Sequence, residues 1–425
     1  MGDARPLDAT RRGLPERPQL TNAVACASDQ QCSLTSSVWL VTYRQPRQYA
    51  QRMAVAISWQ KALAWRMRRH LLDPIGRLPV ADVVGRLCGV QTQVASSAEL
   101  AIRLRRETSR HGEVDRALRD GRLIKTWAMR GALHLLTPED AGAFLSLMAA
   151  GRSWERPSWQ RYFGMTPKQQ DALRQAVRVA LESGPLTRDE LVTAVIARRG
   201  LRHVGEELRS GWGTLLKPLA WHGDLCYGPS QGSRVTFMRP EHASSRWSGL
   251  PDPDEAAAVA IVAYFRSYAP ATIDAFGNWL AGGWFGKRQL RTWFSALEQR
   301  LVQIDVDGEG AHVLAEDLDE LASVTPTIAV RLLPGFDQYV LGPGTGDGHV
   351  VPTSRRAAVS RQSGWISPVV VVGGVVCGTW ELDGDQVRVA WFGEAGRPPR
   401  NALRAELTRL SSILDRGLRS VISIA

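Results

Sequence analysis

A recurring order of elements constrains this chain more than any single motif does. Helix-prone segments followed by a β-prone ribbon occur three times between residues 59 and 313. In the first, Trp59, Leu63, Trp65, Met67 and Leu71 follow a helical pattern. Short helices are then expected over residues 79–87, 98–106 and 113–119, and residues 123–137 (LIKTWAMRGALHLLT) have β character around Gly131. The second begins at residues 185–199, where Thr187 and Glu190 have the spacing of a capping box. A helix over 212–221 and two strands over 224–239 follow. The third runs from 272–280 through 287–301 to a hairpin over 302–313, with Asp307-Gly308 at its tip. Helix, helix and ribbon are the outline of a winged helix-turn-helix. The expected fold class is therefore α+β, with three tandem winged units over residues 53–150, 151–245 and 246–325.

After Pro334 the helical pattern stops. Short strands are expected at 339–341, 365–366, 369–372, 375–382 and 386–392, separated by Gly/Asp turns. They predict a small antiparallel β-barrel, closed by an amphipathic helix over 401–418, so that 326–425 forms a last division. Residues 1–52 carry Pro6, Pro15 and Pro18, a Gln/Ser/Thr-rich middle and no hydrophobic period. They are expected to be a disordered extension, and Met53 offers a second start just before the helical pattern. No run of eighteen apolar residues occurs, so no membrane helix is expected.

The chain has 53 basic and 42 acidic residues, a net charge of +11. Such an excess suits an anionic partner, most often nucleic acid. Only five of these residues are Lys, at 61, 125, 168, 217 and 287, and an Arg bias with abundant Ala, Gly and Val also arises from GC-rich coding. Charge alone does not decide. A helix-turn-helix places one helix in the major groove, with its flanks and wing on phosphates. Three of them on a basic chain point to DNA, although winged helices also serve as protein contacts. The five Cys are scattered, and the eight His show no paired ligand spacing. A reduced, cytoplasmic, nucleoid-associated monomer without metal or cofactor is expected.

Residues 89–93 (GVQTQ) place two carboxamides two positions apart. In an extended segment both share one face and can enter one pocket. Gln supplies no strong acid or base. It can hold a water and offer partial negative charge to a developing cation, which suits a reaction whose leaving group is already activated. Surface or capping amides are the bland alternative. Arg130 and His134 sit in the first ribbon on either side of Gly131, where a strand can approach a nucleic-acid backbone closely. For both, a structural role is the alternative. Lys287, Arg288 and Arg291 occupy the third recognition-helix position and are candidate phosphate contacts. Trp212, Trp221, Trp279, Trp284 and Trp293 have core spacing. Asp337 is expected to cap or brace the junction before the barrel.

Four pieces carry a family resemblance: GVQTQ at 89–93, WAMRGALHL at 127–135, LLPGFDQYVLG at 332–342 and GTW at 378–380. In this order, over about residues 55–400, the chain resembles the AlkZ/YcaQ-like family of bacterial winged-helix DNA glycosylases. The resemblance implies three tandem winged helices and a C-terminal barrel around a DNA channel. It implies excision of alkylated purines, including N7-alkylguanines, and for some members unhooking of interstrand crosslinks as self-resistance to genotoxic antibiotics. The partner would be double-stranded DNA carrying alkylated bases or crosslinks. The family's catalytic motif is Gln, a hydrophobic residue, then Gln or Asp. Gln91 and Gln93 match it, and Thr92 departs from the aliphatic middle position. With no Lys beside the motif, a monofunctional hydrolase is implied. A DNA-binding transcription regulator shares the fold and charge but does not require the two Gln residues.

Overall fold

A computed structural model describes residues 57–425 except Trp212, and the expected extension over 1–52 lies outside them. The repeated order is also a repeated pairing. The helix Val80–Arg86 leads to the short strand Val90–Gln91, the helices Ala95–Arg103 and Glu113–Arg119, and the strands Ile124–Trp127 and Leu133–Leu136. Next, the helix Pro167–Ala180 leads to the strand Leu186–Thr187, the helices Arg188–Ile196 and Leu216–Trp221, and the strands Cys226–Gln231 and Arg234–Met238. Finally, the helix Pro253–Tyr268 leads to a bridge at Ala271, the helices Ile273–Ala281 and Lys287–Ser295, and the strands Leu301–Val306 and Glu309–Leu314. Each time the short strand or bridge pairs with the last strand of its ribbon: Gln91 with His134, Thr187 with Thr236, Ala271 with His312.

Local chemistry sets these boundaries. The Thr187 hydroxyl caps its helix by accepting from the Glu190 amide, while the Glu190 carboxylate accepts the Thr187 N–H at 2.8 Å. Thr272 accepts from the Ala275 amide at 3.1 Å and starts the helix Ile273–Ala281. The first two ribbons join edge to edge in one six-stranded sheet, where Lys125 lies opposite Tyr227. The helix Pro253–Tyr268 is buried along most of its length. Its Tyr264, Phe265 and Tyr268 pack with Trp65, Phe144, Phe276 and Trp279 in the main core. Aromatic side chains carry the largest burial per residue, so this helix is the hub that holds the surrounding walls in place.

The C-terminal part differs from expectation. The strands Val330–Leu333, Val369–Val372, Val375–Asp383, Gln386–Trp391 and Arg419–Ile424 form a five-stranded sheet with Val330–Leu333 and Arg419–Ile424 as its two edges. Among the described residues no strand pairing closes it into a barrel. Its last pair is parallel, because the helix Arg400–Leu414 carries the chain back before Arg419. The run 339–341 is not a strand but lies in the helix Gln338–Leu341, since Asp337 Oδ1 accepts the Tyr339 N–H at 2.9 Å and caps it. Residues 365–366 likewise form no strand, and Ile366 makes only an isolated bridge with Ser360. The whole is a mixed α+β fold. Among the described residues no helix is long and apolar enough to cross a membrane.

Candidate active site

Glycine sets the entry to the two-glutamine motif. Gly89 has φ +90°, and a Cβ there would lie 2.5 Å from Leu136 Cδ2 and 3.2 Å from the Leu135 carbonyl oxygen. Only glycine lets the chain press against the ribbon in this conformation. Val90 and Gln91 then pair with Leu135 and His134. The Thr92 N–H donates to the Leu133 carbonyl at 2.7 Å, and Thr92 is 4% exposed. Gln91 is half-buried and Gln93 exposed. Burial thus alternates through the motif, with Thr92 turned inward between a half-buried Gln91 and an exposed Gln93, while the strand itself ends at Gln91 and Gln93 lies in the bend before the helix Ala95–Arg103.

Gln91 opens onto a cleft of about 750 Å³. One wall is Gln91, Arg130 and Ala132. Tyr264, Asp274 and Asn278 contribute another, and Glu309, Asp347, His349 and Arg356 a third. Gln93 is exposed two residues further on, outside this lining. Arg130 occupies the tight tip of the first ribbon at φ +54°, a conformation rarely held by a side-chain-bearing residue. Its Nη1 donates to the Leu341 carbonyl at 3.4 Å. Crowding by protein lowers its pKa, but a guanidinium stays charged. A strained cation kept at a cleft wall is the kind of outlier that marks a working site.

His134 is buried, 1% exposed, on the strand beside Gln91. Its Nδ1 lies 2.9 Å from the Ala132 carbonyl, which can only accept, so Nδ1 carries the proton. Burial, helped by the Arg130 charge, pulls its pKa down to about 4. At neutral pH it is an uncharged group inside the protein and presents no charge to a phosphate. The unfolded chain takes up this proton near pH 6.5 and the folded one only near pH 4. Stability is therefore complete above pH 6.5 and falls as pH drops toward 4, by up to about 3 kcal/mol for this residue. His222, also depressed to about 4 by burial, acts with the same sign. Denaturant titrations at pH 7 and pH 4.5 should show the loss, and His134→Gln should reduce the difference. A difference unchanged by that substitution would exclude His134 as its source.

The remaining candidates lie elsewhere. Lys287, Arg288 and Arg291 are exposed on the helix Lys287–Ser295, which buries Leu290, Trp293 and Phe294 on its other face. Among the described residues none of the three has an ion-pair partner. They do not line the cleft, but the preceding helix, Ile273–Ala281, does so through Asp274, Ala275 and Asn278. Asp337 is no catalytic acid: it is fully buried in a two-pronged ion pair with Arg105, at 2.6 and 2.8 Å. Trp221, Trp279 and Trp293 are core residues, Trp284 is 53% exposed, and Trp212 lies outside the described residues. Among the described residues no group of three or more His, Cys, Asp or Glu side chains is placed to hold a metal ion.

Sequence reasoning missed the far side of the cleft. Arg66 Nη1 bonds Asp347 at 2.9 Å across 281 positions, and its Nη2 donates to the Pro270 carbonyl at 2.6 Å. The Trp59 ring stacks on His349 at 3.6 Å, and His349 Nε2 lies 3.1 Å from Glu309. No local pattern announces partners this far apart in the chain.

Known proteins share this layout. The family model described as DNA glycosylase AlkZ-like matches residues 84–413. The interstrand DNA cross-link repair glycosylase of Streptomyces sahachiroi is 48% identical over 355 residues, covering 83% of this chain and 96% of the relative. The solved structure of Streptomyces sahachiroi DNA glycosylase AlkZ aligns with a TM-score of 0.84 at 46% identity, covering 87% of this chain and 100% of that one. The family match takes in the glutamine motif, the Arg130 tip and four of the five strands of the C-terminal sheet, and on these grounds the chain belongs to the AlkZ-like DNA glycosylase family.

Proposed function

We propose that this protein hydrolyses the N-glycosidic bond of alkylated purines of the N7-alkylguanine type, with Gln91 and Gln93 as its catalytic amides. The alternating burial that turns both Gln side chains away from Thr92, with Gln91 on the cleft wall, is the observation that carries the assignment. Alkylation at N7 places a positive charge on guanine. The base then leaves with the bonding electrons as a neutral species and needs no general acid. What remains is to position water against C1′ and to stabilise the cationic sugar. Amide oxygens do both: one accepts a hydrogen bond from the water, and both offer partial negative charge. The water adds its oxygen to C1′ and releases its proton to solvent. Among the described residues no Lys lines the cleft, and on this reading water rather than an amine attacks the sugar, which makes the enzyme monofunctional.

On this reading the three helix-and-ribbon regions are winged helices that follow the duplex. Arg130 meets the DNA at the lesion, and Lys287, Arg288 and Arg291 meet phosphates to one side. His134, buried and neutral, supports the strand that carries Gln91. An open cleft admits bulky adducts, so crosslinks of the kind named for the Streptomyces relative belong to the substrate range. The protein acts as a monomer at the nucleoid. Incubation with a duplex containing N7-methylguanine, then alkaline cleavage of abasic sites, tests the assignment. Strand breaks at the lesion are expected only after alkali. Tight DNA binding without release of any N7- or N3-alkylpurine would sink it.

The phosphate contacts make a separate prediction. Each neutralised phosphate contributes about 0.9 to the slope of log affinity against log salt. Lys287→Ala or Arg291→Ala should lower that slope by about one contact and weaken damaged and undamaged duplexes alike. A loss confined to damaged DNA would move these residues to the lesion.

A further inference from the structure

The turn between the helices Ile273–Ala281 and Lys287–Ser295 reads Gly282-Gly283-Trp284-Phe285-Gly286. Its two aromatic residues go opposite ways. Phe285 packs edge-on against Trp293, with ring centroids 5.1 Å apart, and is partly buried on the core. Trp284 turns outward and is 53% exposed, whereas Trp279 and Trp293 on the flanking helices are buried. The Arg156 guanidinium, from just before the helix Pro157–Phe163, sits 5.4 Å from the Trp284 ring centre. Gly282 and Gly283, at φ +64° and +82°, give the sharp turn. A Cβ on Gly283 would lie 3.3 Å from Oδ1 of Asn278, a residue lining the cleft. Trp284 thus follows a turn that touches the cleft-lining Asn278 without itself lining the cleft, and the exposed cations Lys287, Arg288 and Arg291 come directly after it.

We propose that Trp284 is a stacking platform for an unpaired base of the DNA beside the lesion. The proposal rests on the glycosylase reading for the identity of the partner. A half-exposed indole with one face beside a guanidinium, next to three more cations, matches a ligand that carries both a π-face and negative charge. A nucleotide does, and stacking on an aromatic ring is tolerant of base identity because every base has a π-face. Excision disrupts pairing and leaves a base without its partner, so a platform on the turn beside a cleft-lining helix holds the duplex open while the cleft works.

The test uses the full chain and two undamaged duplexes of equal length, one fully paired and one with a single unpaired 2-aminopurine, over a range of salt concentrations. Wild type should prefer the second and quench its fluorescence. Trp284→Ala should abolish the preference, weakening that complex roughly tenfold or more with the salt slope unchanged. Arg156→Ala should also lower the slope by about 0.9. Trp284→Phe keeps a π-face and should retain most of the preference. Trp284→Leu keeps apolar bulk without it and should not, which guards against misfolding of the Ala variant. Equal weakening of both duplexes, no weakening, or loss of a self-association instead of DNA binding would each overturn the proposal. Release of N7-methylguanine by wild type, measured alongside, shows separately whether the glycosylase reading stands.

Discussion

Gln91→Ala should bind alkylated duplex almost as tightly as wild type yet release N7-methylguanine at a rate lower by about a hundredfold or more. The direction follows from what the side chain can do. It carries no charge, so its loss changes neither the phosphate contacts nor the salt slope. Its amide is useful only when water must be held against C1′ and charge appears on the sugar, so the loss falls on the reaction step and not on binding. Effects of 10²–10³ are typical when one preorganised polar group at a developing charge is removed. Gln93→Ala should behave alike. The double variant should cost less than the product of the two singles, because on the proposed mechanism both amides serve one water. Gln93→Asp adds a full negative charge and a base, and should keep activity with an altered pH profile. Single-turnover base release and equilibrium binding on the same duplex decide the matter. A Gln91→Ala protein that loses binding and release in proportion would make Gln91 a binding residue only.

How much of this was legible in the sequence depends on distance along the chain. The ribbons, the capping box at Thr187 and Glu190 and the short strand that opens the glutamine motif are local, and periodicity and capping chemistry suffice to place them. The run at 339–341 misleads for an equally local reason. Its Tyr, Val and Leu favour a strand, but one buried carboxylate, Asp337, accepts the next helix's N–H and outweighs them. The open sheet misleads for a non-local one. Five strand-like segments are consistent with a barrel until the helix Arg400–Leu414 is known to deliver a further strand in parallel at the edge. The cleft is the extreme case. Gln91 and Arg130 are readable as candidates, whereas Arg66, Asp347, Trp59 and His349 meet only in space. The positive φ of Arg130 also leaves no trace in a sequence where glycine follows it.

Asp337→Ala should destabilise the fold by about 3–5 kcal/mol, because it strands a buried guanidinium. Arg105 and Asp337 are both fully buried and meet through two hydrogen bonds, at 2.6 and 2.8 Å. Arg105 Nη1 also donates to the Ala101 carbonyl at 2.7 Å, but its Nε has no partner, so little else is available to the charge once the carboxylate is gone. Arg105→Ala should cost a similar amount by leaving the carboxylate unpaired. The pair itself need not be net stabilising, since two ions leave water to form it. Replacing both, as in Arg105→Met with Asp337→Leu, should recover most of the loss in denaturant titrations. The double variant would still lack the cap on the helix Gln338–Leu341, and the Leu341 carbonyl at that helix's end accepts from Arg130. Stability and activity should therefore separate: the double variant folds, but with Arg130 less firmly held it releases base more slowly than wild type. Single variants within about 1 kcal/mol of wild type would show that water reaches the pair. A double variant with full activity would show that Arg130 needs no such tether.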